Sequence, residues 1–168
     1  MNLDFKTFDT IELRNFIQGD EKLNGNLNKK FKYFSYDDLS LIFSTDDYLK
    51  HCKFFVVLNG KQIIGICNFA KYYDKFSISY LSTHIDYKKR GIAKKLLFYS
   101  IKEIKKFTNI LTTSQYSVDG WKYLKHHLEN FCLLNDITLI PNVVGYDKDN
   151  DEFDKLREES IKKLNNLI

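Results

Sequence analysis

The sequence has only three cysteines, one proline and seven glycines among its 168 residues, and it has no long apolar run. Cys52, Cys67 and Cys132 are far apart in the chain, which argues against a disulfide framework and against a Cys-x-x-Cys metal site. We therefore expect no metal and a reducing compartment. No stretch approaches the roughly 18 apolar residues of a membrane span, and the first residues do not have the pattern of a signal peptide, so we expect a cytoplasmic protein without membrane contact.

The overall composition is that of a folded domain. Hydrophobic residues make up 43% of the chain and charged residues 29%, and we find no repeat and no linker rich in Pro, Gly or Ser. One domain over residues 1–168 is the simplest reading. The net charge of +4 is mild. It permits an anionic ligand, whereas a dedicated nucleic-acid binder usually shows a stronger and more clustered excess of positive charge.

Hydrophobic periodicity predicts an alternation of strands and helices. Alternating or continuous apolar runs predict strands at 3–8, 53–58, 61–70, 76–85, 109–115 and 137–140. A period near 3.6 residues, or a capping signal, predicts helices at 9–18, 36–51, 91–107, 118–133 and 151–167. Asp9 and Glu12 have the spacing of a capping box, and Asn59-Gly60 is typical of a type I′ hairpin turn. This order predicts an antiparallel meander followed by a strand–helix–strand crossover.

The segment with the clearest chemistry is a strand that runs through a basic turn into a helix. Lys88, Lys89 and Arg90 precede Gly91, and the predicted helix starts there. The first turn of a helix has unpaired N–H groups and a partial positive charge. A glycine at its start lets a ligand approach the backbone, and Ala93 keeps the next position small. The segment therefore predicts a diphosphate site, although it lacks the glycine spacing of a Walker A loop or a dinucleotide fingerprint.

The run Lys88-Lys89-Arg90-Gly91-Ile92-Ala93 resembles the coenzyme A loop of the GCN5-related N-acetyltransferase (GNAT) superfamily. The family's pattern is Arg/Gln-x-x-Gly-x-Gly/Ala, at the junction of the fourth strand and the third helix. The preceding His84-Ile85-Asp86-Tyr87 is similar to the His-Pro-Asp-Tyr often found there. Two residues depart from the pattern: Lys88 replaces Arg or Gln, and Ile85 replaces Pro. Lysine can still reach a phosphate as a point charge.

The resemblance implies an α+β fold with a mixed, mostly antiparallel central sheet, helices on both faces and a splayed cofactor cleft. It implies that residues 1–168 form a single N-acetyltransferase domain that uses acetyl-CoA as co-substrate and moves the acetyl group to an amine by direct attack in a ternary complex. A small-molecule or protein amine would be the acceptor, and a homodimer stays open. The implied cofactor-binding residues are Leu81, Ser82, Thr83, Lys88, Lys89, Arg90, Gly91, Ile92, Ala93 and Lys94.

The catalytic residues follow less directly from the resemblance. The family often uses a tyrosine after the fifth strand as the acid, in the pattern Asn-x-x-Ala-x-x-Phe-Tyr. In this sequence Leu124 stands where the family has that tyrosine, and Tyr123 precedes it by one residue. Tyr123 is therefore the predicted acid, and Tyr116 is the alternative. No general base stands out: His84 could serve, but a histidine at a strand end is usually structural, and ordered water is an equal alternative.

Two other functions stay open on the sequence. The missing tyrosine register and the missing base leave a non-catalytic acyl-CoA-binding or regulatory module on the same fold as the alternative to an enzyme. A small basic nucleic-acid-binding domain is the third reading, because lysines line one face of the predicted helix at 91–107.

Overall fold

The computed structural model describes residues 1–18, 51–72, 75–113 and 120–140 of the chain. Within these ranges there are six strands: β1 (Leu3–Asp9), β2 (Lys53–Asn59), β3 (Gln62–Tyr72), β4 (Lys75–Thr83), β5 (Ile110–Thr113) and β6 (Thr138–Ile140). The described residues also form three α-helices: α1 (Thr10–Gln18), α2 (Ile92–Ile104) and α3 (Lys125–Leu134). The helical region predicted at 36–51, apart from His51, and the terminal helix predicted at 151–167 lie outside the described residues.

The strands form one mixed sheet in the order β1-β2-β3-β4-β5-β6. The pairs from β1 to β4 are antiparallel, and β4, β5 and β6 are parallel to one another. Two parallel pairs in this sheet require crossover connections, and α2 and α3 supply them. The predicted α+β class, with a mixed and mostly antiparallel sheet, is confirmed.

Helices cover both faces of the sheet, as predicted. Phe55 and Val57 of β2 point to the face that α2 and α3 cover, where Leu96, Ile101 and Leu128 are buried. Their neighbours Phe54 and Val56 point to the other face, where Leu13 of α1 is buried. β2 is therefore apolar at consecutive positions because it is a central strand with a core on each side.

The capping box predicted at the start of α1 is confirmed. The backbone N–H of Glu12 donates to Oδ1 of Asp9 at 2.8 Å, and the backbone N–H of Asp9 donates to Oε2 of Glu12 at 2.8 Å. Two amide groups at the helix start are satisfied reciprocally, which stops β1 and turns the chain directly into α1.

The hairpin between β2 and β3 forms, but its turn differs from the prediction in two ways: it is of another type, and it lies one residue later in the chain. Asn59 pairs with Gln62, so the two-residue loop is Gly60-Lys61. Gly60 has φ +61°, whereas neither Asn59 nor Lys61 has positive φ. A single glycine with positive φ at the first loop position is typical of a type II′ turn, not of type I′.

The ends of the later helices also differ from the prediction. α2 begins at Ile92 and ends at Ile104, with Gly91 as its N-cap, which is shorter than the predicted 91–107. The helix predicted at 118–133 starts with one π-helical turn, Gly120–Leu124, before α3. A π turn holds one more residue than an α-helical turn, so the 3.6-residue periodicity could not place the side chains at the start of this helix.

A β-bulge in β4 lies next to the point where β4 and β5 separate. Phe69 pairs with Ile78 and Asn68 pairs with Tyr80, so Ser79 is the extra residue. β5 pairs with β4 only over Phe76–Ile78, and the strand predicted to reach 115 is described only to Thr113. Among the described residues, β4 therefore pairs only with β3 from Ser79 to Thr83. The splayed cleft is expected beside this segment.

Asn68 is a buried polar residue on the α1 face of the sheet. It is 1% exposed, and among the described residues its side chain has only a weak contact with the Cys52 thiol, while Nδ2 and Oδ1 have no nitrogen or oxygen partner. Asn68→Leu is expected to raise the free energy of unfolding by about 1–3 kcal/mol, because the desolvated amide is replaced by an apolar group. Denaturant unfolding measures the change, with the exposed Asn130→Leu as control, which we expect within about 0.5 kcal/mol of the wild type. A loss of stability of similar size would show that the Asn68 amide is satisfied in solution.

Candidate active site

His84 holds the turn between β4 and the basic loop. Its side chain is 2% exposed, and its backbone N–H donates to the carbonyl of Ile64 at 3.0 Å. Nδ1 accepts a hydrogen bond from the backbone N–H of Asp86 at 3.2 Å, which caps the short 3-10 turn Ile85–Tyr87. Since Nδ1 is unprotonated in this bond and the ring is buried, the geometry accounts for His84 as a cap and gives no support to its use as a base.

Tyr87 connects the same turn to the β2–β3 hairpin. Nδ2 of Asn59 donates to the Tyr87 hydroxyl at 3.2 Å, and the Tyr87 ring packs edge-on against His84 with centroids 5.7 Å apart. The guanidinium of Arg90 lies 5.5 Å from the centroid of the Tyr87 ring. Cation–π contact of this kind keeps the arginine beside the loop instead of extended into solvent.

The basic loop brings backbone amides and positive side chains to one place. Lys89 has φ +60° and Gly91 has φ +73°, so two residues of the turn are left-handed. The N–H of Lys95 donates to the carbonyl of Gly91 at 3.1 Å, which closes the first turn of α2. The three N–H groups before that of Lys95 belong to Ile92, Ala93 and Lys94. They have no acceptor among the described residues, as is usual for the first turn of a helix. Left-handed turns followed by free amides form a concave anion site.

The side chains of the loop divide into exposed cations and buried anchors. Lys88, Lys89, Arg90 and Lys94 are exposed, and Ile92 is only 2% exposed because it packs into the core. Ile92 can therefore meet a ligand through its amide and not through its side chain. A Cβ on Gly91 would have no heavy atom within 4 Å, so the space in front of the amides is open. All seven residues predicted from 88 to 94 lie in this one turn.

The other predicted segment, Leu81 to Thr83, lies at the adjoining end of β4. Leu81 packs against the core on the α2 face, and Thr83 pairs with Gly65 of β3. Oγ1 of Thr83 is buried and has no hydrogen-bond partner in the part of the chain that the structure describes. An orphaned hydroxyl beside an open strand end is a group that a ligand could satisfy.

Gly65 seats the start of α2 on the sheet, and sequence reasoning missed it. A Cβ there would lie 2.8 Å from Cγ1 of Val57, 3.2 Å from Cδ2 of Leu96 and 3.3 Å from Cγ2 of Ile92. Only a residue without a side chain lets the first turn of α2 approach β3 this closely. The available signal was an isolated glycine inside a strand pattern, which marks a bulge or a close backbone approach.

Tyr123 lies in the π turn and is well exposed. It is 57% exposed, and the ammonium of Lys122 lies 5.6 Å from its ring centroid. Leu124, at the family's tyrosine position, is half-buried. β4 and β5 are parallel, and each is followed by a helix, α2 after β4 and α3 after β5. The starts of both helices therefore lie at the edge of the sheet where the two strands end. Tyr123 is thus at the same edge of the sheet as the basic loop. Tyr116 lies outside the described residues.

Next to Tyr123 lies a charged pair that the sequence did not single out. Lys125 is 8% exposed, and its ammonium donates to Oε1 of the half-buried Glu129 one turn later. A buried lysine needs such a partner, and the i, i+4 pair stabilises the first turn of α3. The i, i+4 spacing was visible in the sequence, but the burial was not.

The three cysteines are poor nucleophiles. All three are buried and free, and burial raises the pKa of Cys67 to about 12 and that of Cys132 to about 12. Burial also raises the pKa of the Cys52 thiol. Since the thiolate is the reactive form, no cysteine of this chain is set up for covalent transfer at neutral pH.

The described residues contain no group of three or more His, Cys, Asp or Glu side chains that could hold a metal ion. Within the same part of the chain, none of the helices has the length and apolar character needed to cross a membrane.

Comparisons with known proteins concern the family and the fold. The model of the acetyltransferase (GNAT) family matches residues 23–127. The catalytic domain of the Tetrahymena GCN5 histone acetyltransferase, solved with coenzyme A, is 18% identical with a TM-score of 0.51, covering 76% of this chain and 76% of that one. An integron cassette protein from V. cholerae is 15% identical with a TM-score of 0.50, covering 94% and 98%. At such identities these two structures establish the fold alone. No curated protein matches the sequence.

Proposed function

Because this chain belongs to the acetyltransferase (GNAT) family, and is therefore an acyltransferase, we propose that it moves the acetyl group of acetyl-CoA to an amine by direct attack in a ternary complex. The observation that carries the proposal is the row of acceptor-free amides at the start of α2, preceded by left-handed Lys89 and Gly91. That arrangement suits a pyrophosphate, which coenzyme A contains and which few other acyl donors offer.

In this proposal the loop binds the pyrophosphate in two ways. The N–H groups of Ile92, Ala93 and Lys94 donate to phosphate oxygens, and the partial positive charge of the helix start adds to them. The side chains of Lys88, Lys89 and Arg90, which are exposed around the turn, supply full charges. Gly91 leaves room for the phosphate because no side chain of the described residues comes within 4 Å of the position that its Cβ would have.

The pantetheine arm would lie along the end of β4. Leu81, Ser82 and Thr83 follow the bulge at Ser79, beyond the last residue that pairs with β5. An extended ligand can pair with such a strand end through main-chain hydrogen bonds. A backbone N–H of this segment would also face the thioester oxygen and stabilise the negative charge that develops there. The buried hydroxyl of Thr83 would gain its missing partner from the same ligand.

Direct attack fits the residues better than a covalent enzyme intermediate. The raised pKa values of Cys67 and Cys132 leave these thiols protonated at neutral pH. The amine nitrogen therefore forms the new C–N bond itself, and the C–S bond breaks as the tetrahedral species collapses. The amine loses one proton to ordered water, and the departing thiolate gains one from an acid, for which Tyr123 is the proposed donor.

The decisive experiment combines binding with turnover. We expect acetyl-CoA, but not tRNA or DNA, to raise the melting temperature of the full chain. Release of the coenzyme A thiol should then require an added amine, and a panel should cover small amines, antibiotics, peptide termini, protein lysines and aminoacyl-tRNA. Stabilisation without release for any acceptor would favour the non-catalytic module, and stabilisation by nucleic acid alone would overturn the proposal.

Tyr123→Phe tests the proposed acid. If the hydroxyl protonates the thiolate, kcat should fall roughly 100-fold, the low end for a general acid, with coenzyme A affinity unchanged and one limb of the pH–rate profile lost. Tyr99→Phe is the matched control, because it removes a hydroxyl that bonds to Thr7 at 3.0 Å, away from the site. An unchanged rate and pH profile in Tyr123→Phe would retire the assignment.

A further inference from the structure

Asn59 is the last residue of β2, and the turn that follows it does not require an asparagine. Gly60 has positive φ, whereas Asn59 does not, so the tolerance of positive φ that favours asparagine in such turns is not used here. Asparagine is also depleted in strands, because its short polar side chain competes with the hydrogen bonds of the backbone. The residue type at this position is therefore better explained by what its side chain contacts.

The side chain of Asn59 contacts Tyr87, on the far side of β3 and β4 in the chain. Its Nδ2 donates to the Tyr87 hydroxyl at 3.2 Å. The Tyr87 ring packs against the core on the α2 face and edge-on against His84, and the Tyr87 N–H donates to the carbonyl of His84 at 2.9 Å. The tyrosine is thus fixed at its backbone by the turn after β4 and at its hydroxyl by the β2–β3 hairpin.

The guanidinium of Arg90 lies over the Tyr87 ring. Its central carbon is 5.5 Å from the ring centroid. The Arg90 side chain is exposed, and none of the carboxylates that the structure describes forms an ion pair with it. A cation over an aromatic face is attracted to the ring without losing its charge or its hydrogen-bond donors. The ring therefore holds the arginine in place and leaves its donors to an anion.

The backbone around Arg90 also depends on its anchors. Lys89 has φ +60° and Gly91 has φ +73°, so Arg90 lies between two left-handed residues. A left-handed lysine is strained, and such a conformation persists only where the surroundings fix it. Ile92, which is buried in the core, fixes the chain after the turn. Tyr87, with its ring on the core and its hydroxyl on the hairpin, fixes the chain before it.

We infer that Asn59 is a positioning residue for coenzyme A: it orients the Tyr87 ring, and the ring holds the Arg90 guanidinium where the pyrophosphate meets the basic loop. The inference rests on the proposed function, since it takes coenzyme A as the ligand. A mobile arginine loses rotamer freedom when it contacts a phosphate, and this loss weakens binding. An arginine that already lies on a ring loses less, so the hairpin strengthens binding without any contact between Asn59 and the ligand.

Titration calorimetry of the full chain with coenzyme A tests the inference. We expect Asn59→Ala to weaken binding about 3- to 10-fold, the size of one side chain that must be ordered on binding. Tyr87→Phe keeps the ring and removes the hydroxyl, and it should weaken binding by the same factor. The double variant should bind no more weakly than either single variant, because both changes remove the same hydrogen bond.

A second background, Arg90→Gln, separates positioning of the arginine from a general loosening of the structure. This change removes the guanidinium and should itself weaken binding, since Arg90 is one of the proposed phosphate contacts. Without the guanidinium, the orientation of the Tyr87 ring no longer affects the ligand. Adding Asn59→Ala to Arg90→Gln should therefore change the affinity by less than about 2-fold. A variant that only loosened the hairpin would lower the affinity by the same factor in both backgrounds.

Asn135→Ala is the matched control. It also removes a side-chain amide that donates a hydrogen bond, here to the carbonyl of Phe131 at 2.8 Å, but it lies at the end of α3 and not at its start beside the basic loop. We expect it to leave coenzyme A affinity unchanged. Circular dichroism melts check that each variant folds, and Tyr87→Phe with and without Arg90→Gln gives the same comparison if Asn59→Ala does not.

The outcomes separate this inference from the proposed function. Wild-type affinity in both Asn59→Ala and Tyr87→Phe, or a loss that persists in full beside Arg90→Gln, would overturn the inference while leaving acetyl-CoA as the donor. An equal loss of affinity in Asn135→Ala would overturn it too, because any missing amide would then have the same effect. Failure of the wild-type chain to bind coenzyme A would overturn both.

Discussion

Replacing Gly91 by glutamate is expected to abolish coenzyme A binding and acetyl transfer without unfolding the protein. Gly91 has φ +73°, so a side chain there costs roughly 1–2 kcal/mol of backbone strain, which most folded domains tolerate. The built Cβ meets no heavy atom within 4 Å, so the protein itself has room for the new side chain. The carboxylate would stand in the phosphate's place in front of the α2 amides. We expect affinity to fall at least about 100-fold, which corresponds to ~2.7 kcal/mol.

The matched control for this change is Gly60→Glu. Gly60 has φ +61° and also has no heavy atom within 4 Å of a built Cβ, so the backbone strain and the added charge are the same. It lies in the β2–β3 turn and not at a helix start. Equal losses of melting temperature in the two variants, with coenzyme A binding lost only in Gly91→Glu, would support the site. Retained affinity in Gly91→Glu would show that the pyrophosphate binds elsewhere.

Gly65→Ala is expected to destabilise the protein by about 1–3 kcal/mol and to weaken coenzyme A binding at the same time. The new methyl group would lie 2.8 Å from Cγ1 of Val57, a branched side chain in the middle of β2 that has little rotamer freedom. It would also press on Ile92 and Leu96, at 3.3 and 3.2 Å, and so displace the first turn of α2. Chemical denaturation and calorimetry with coenzyme A measure the two effects.

A double-mutant cycle with Val57→Ala checks the physical cause. Val57→Ala alone should destabilise by leaving a cavity, because Val57 is fully buried. In the double variant, the methyl group added at position 65 fills part of the space that the Val57 methyl groups leave. The double variant should therefore be more stable than the sum of the two single effects predicts. Additive losses would mean that the close approach at Gly65 is not what limits the seating of α2.

Local patterns were sufficient for most of the secondary structure. The 3.6-residue stripe of α2 and the continuous apolar run of β2 predicted both elements, since each depends on residues close together in the chain. The capping box of Asp9 and Glu12 was readable for the same reason. The hairpin turn was placed one residue too early because its closing pair is set by the register between two strands, which short-range signals do not determine.

Features that depend on backbone conformation or burial could not be assigned in the same way. The backbone N–H of Asp86 donates to Nδ1 of His84 and so caps the turn after β4, although the two residues are only two apart in the chain. The helix that contains Tyr123 begins with a π turn, and Lys125 is buried on α3. The sequence shows the spacing of these residues but not the backbone conformation or the burial.

The amino-acid sequence by itself determined the mixed α+β class, the strand–turn–helix order and the family resemblance of the basic loop. These depend on short-range periodicity and on backbone chemistry within a few residues of Gly91. Only the tertiary structure decided that α2 rests on Gly65 and that Thr83 has a buried hydroxyl with no partner among the described residues. Both depend on packing and strand register between elements far apart in the chain instead of on local sequence.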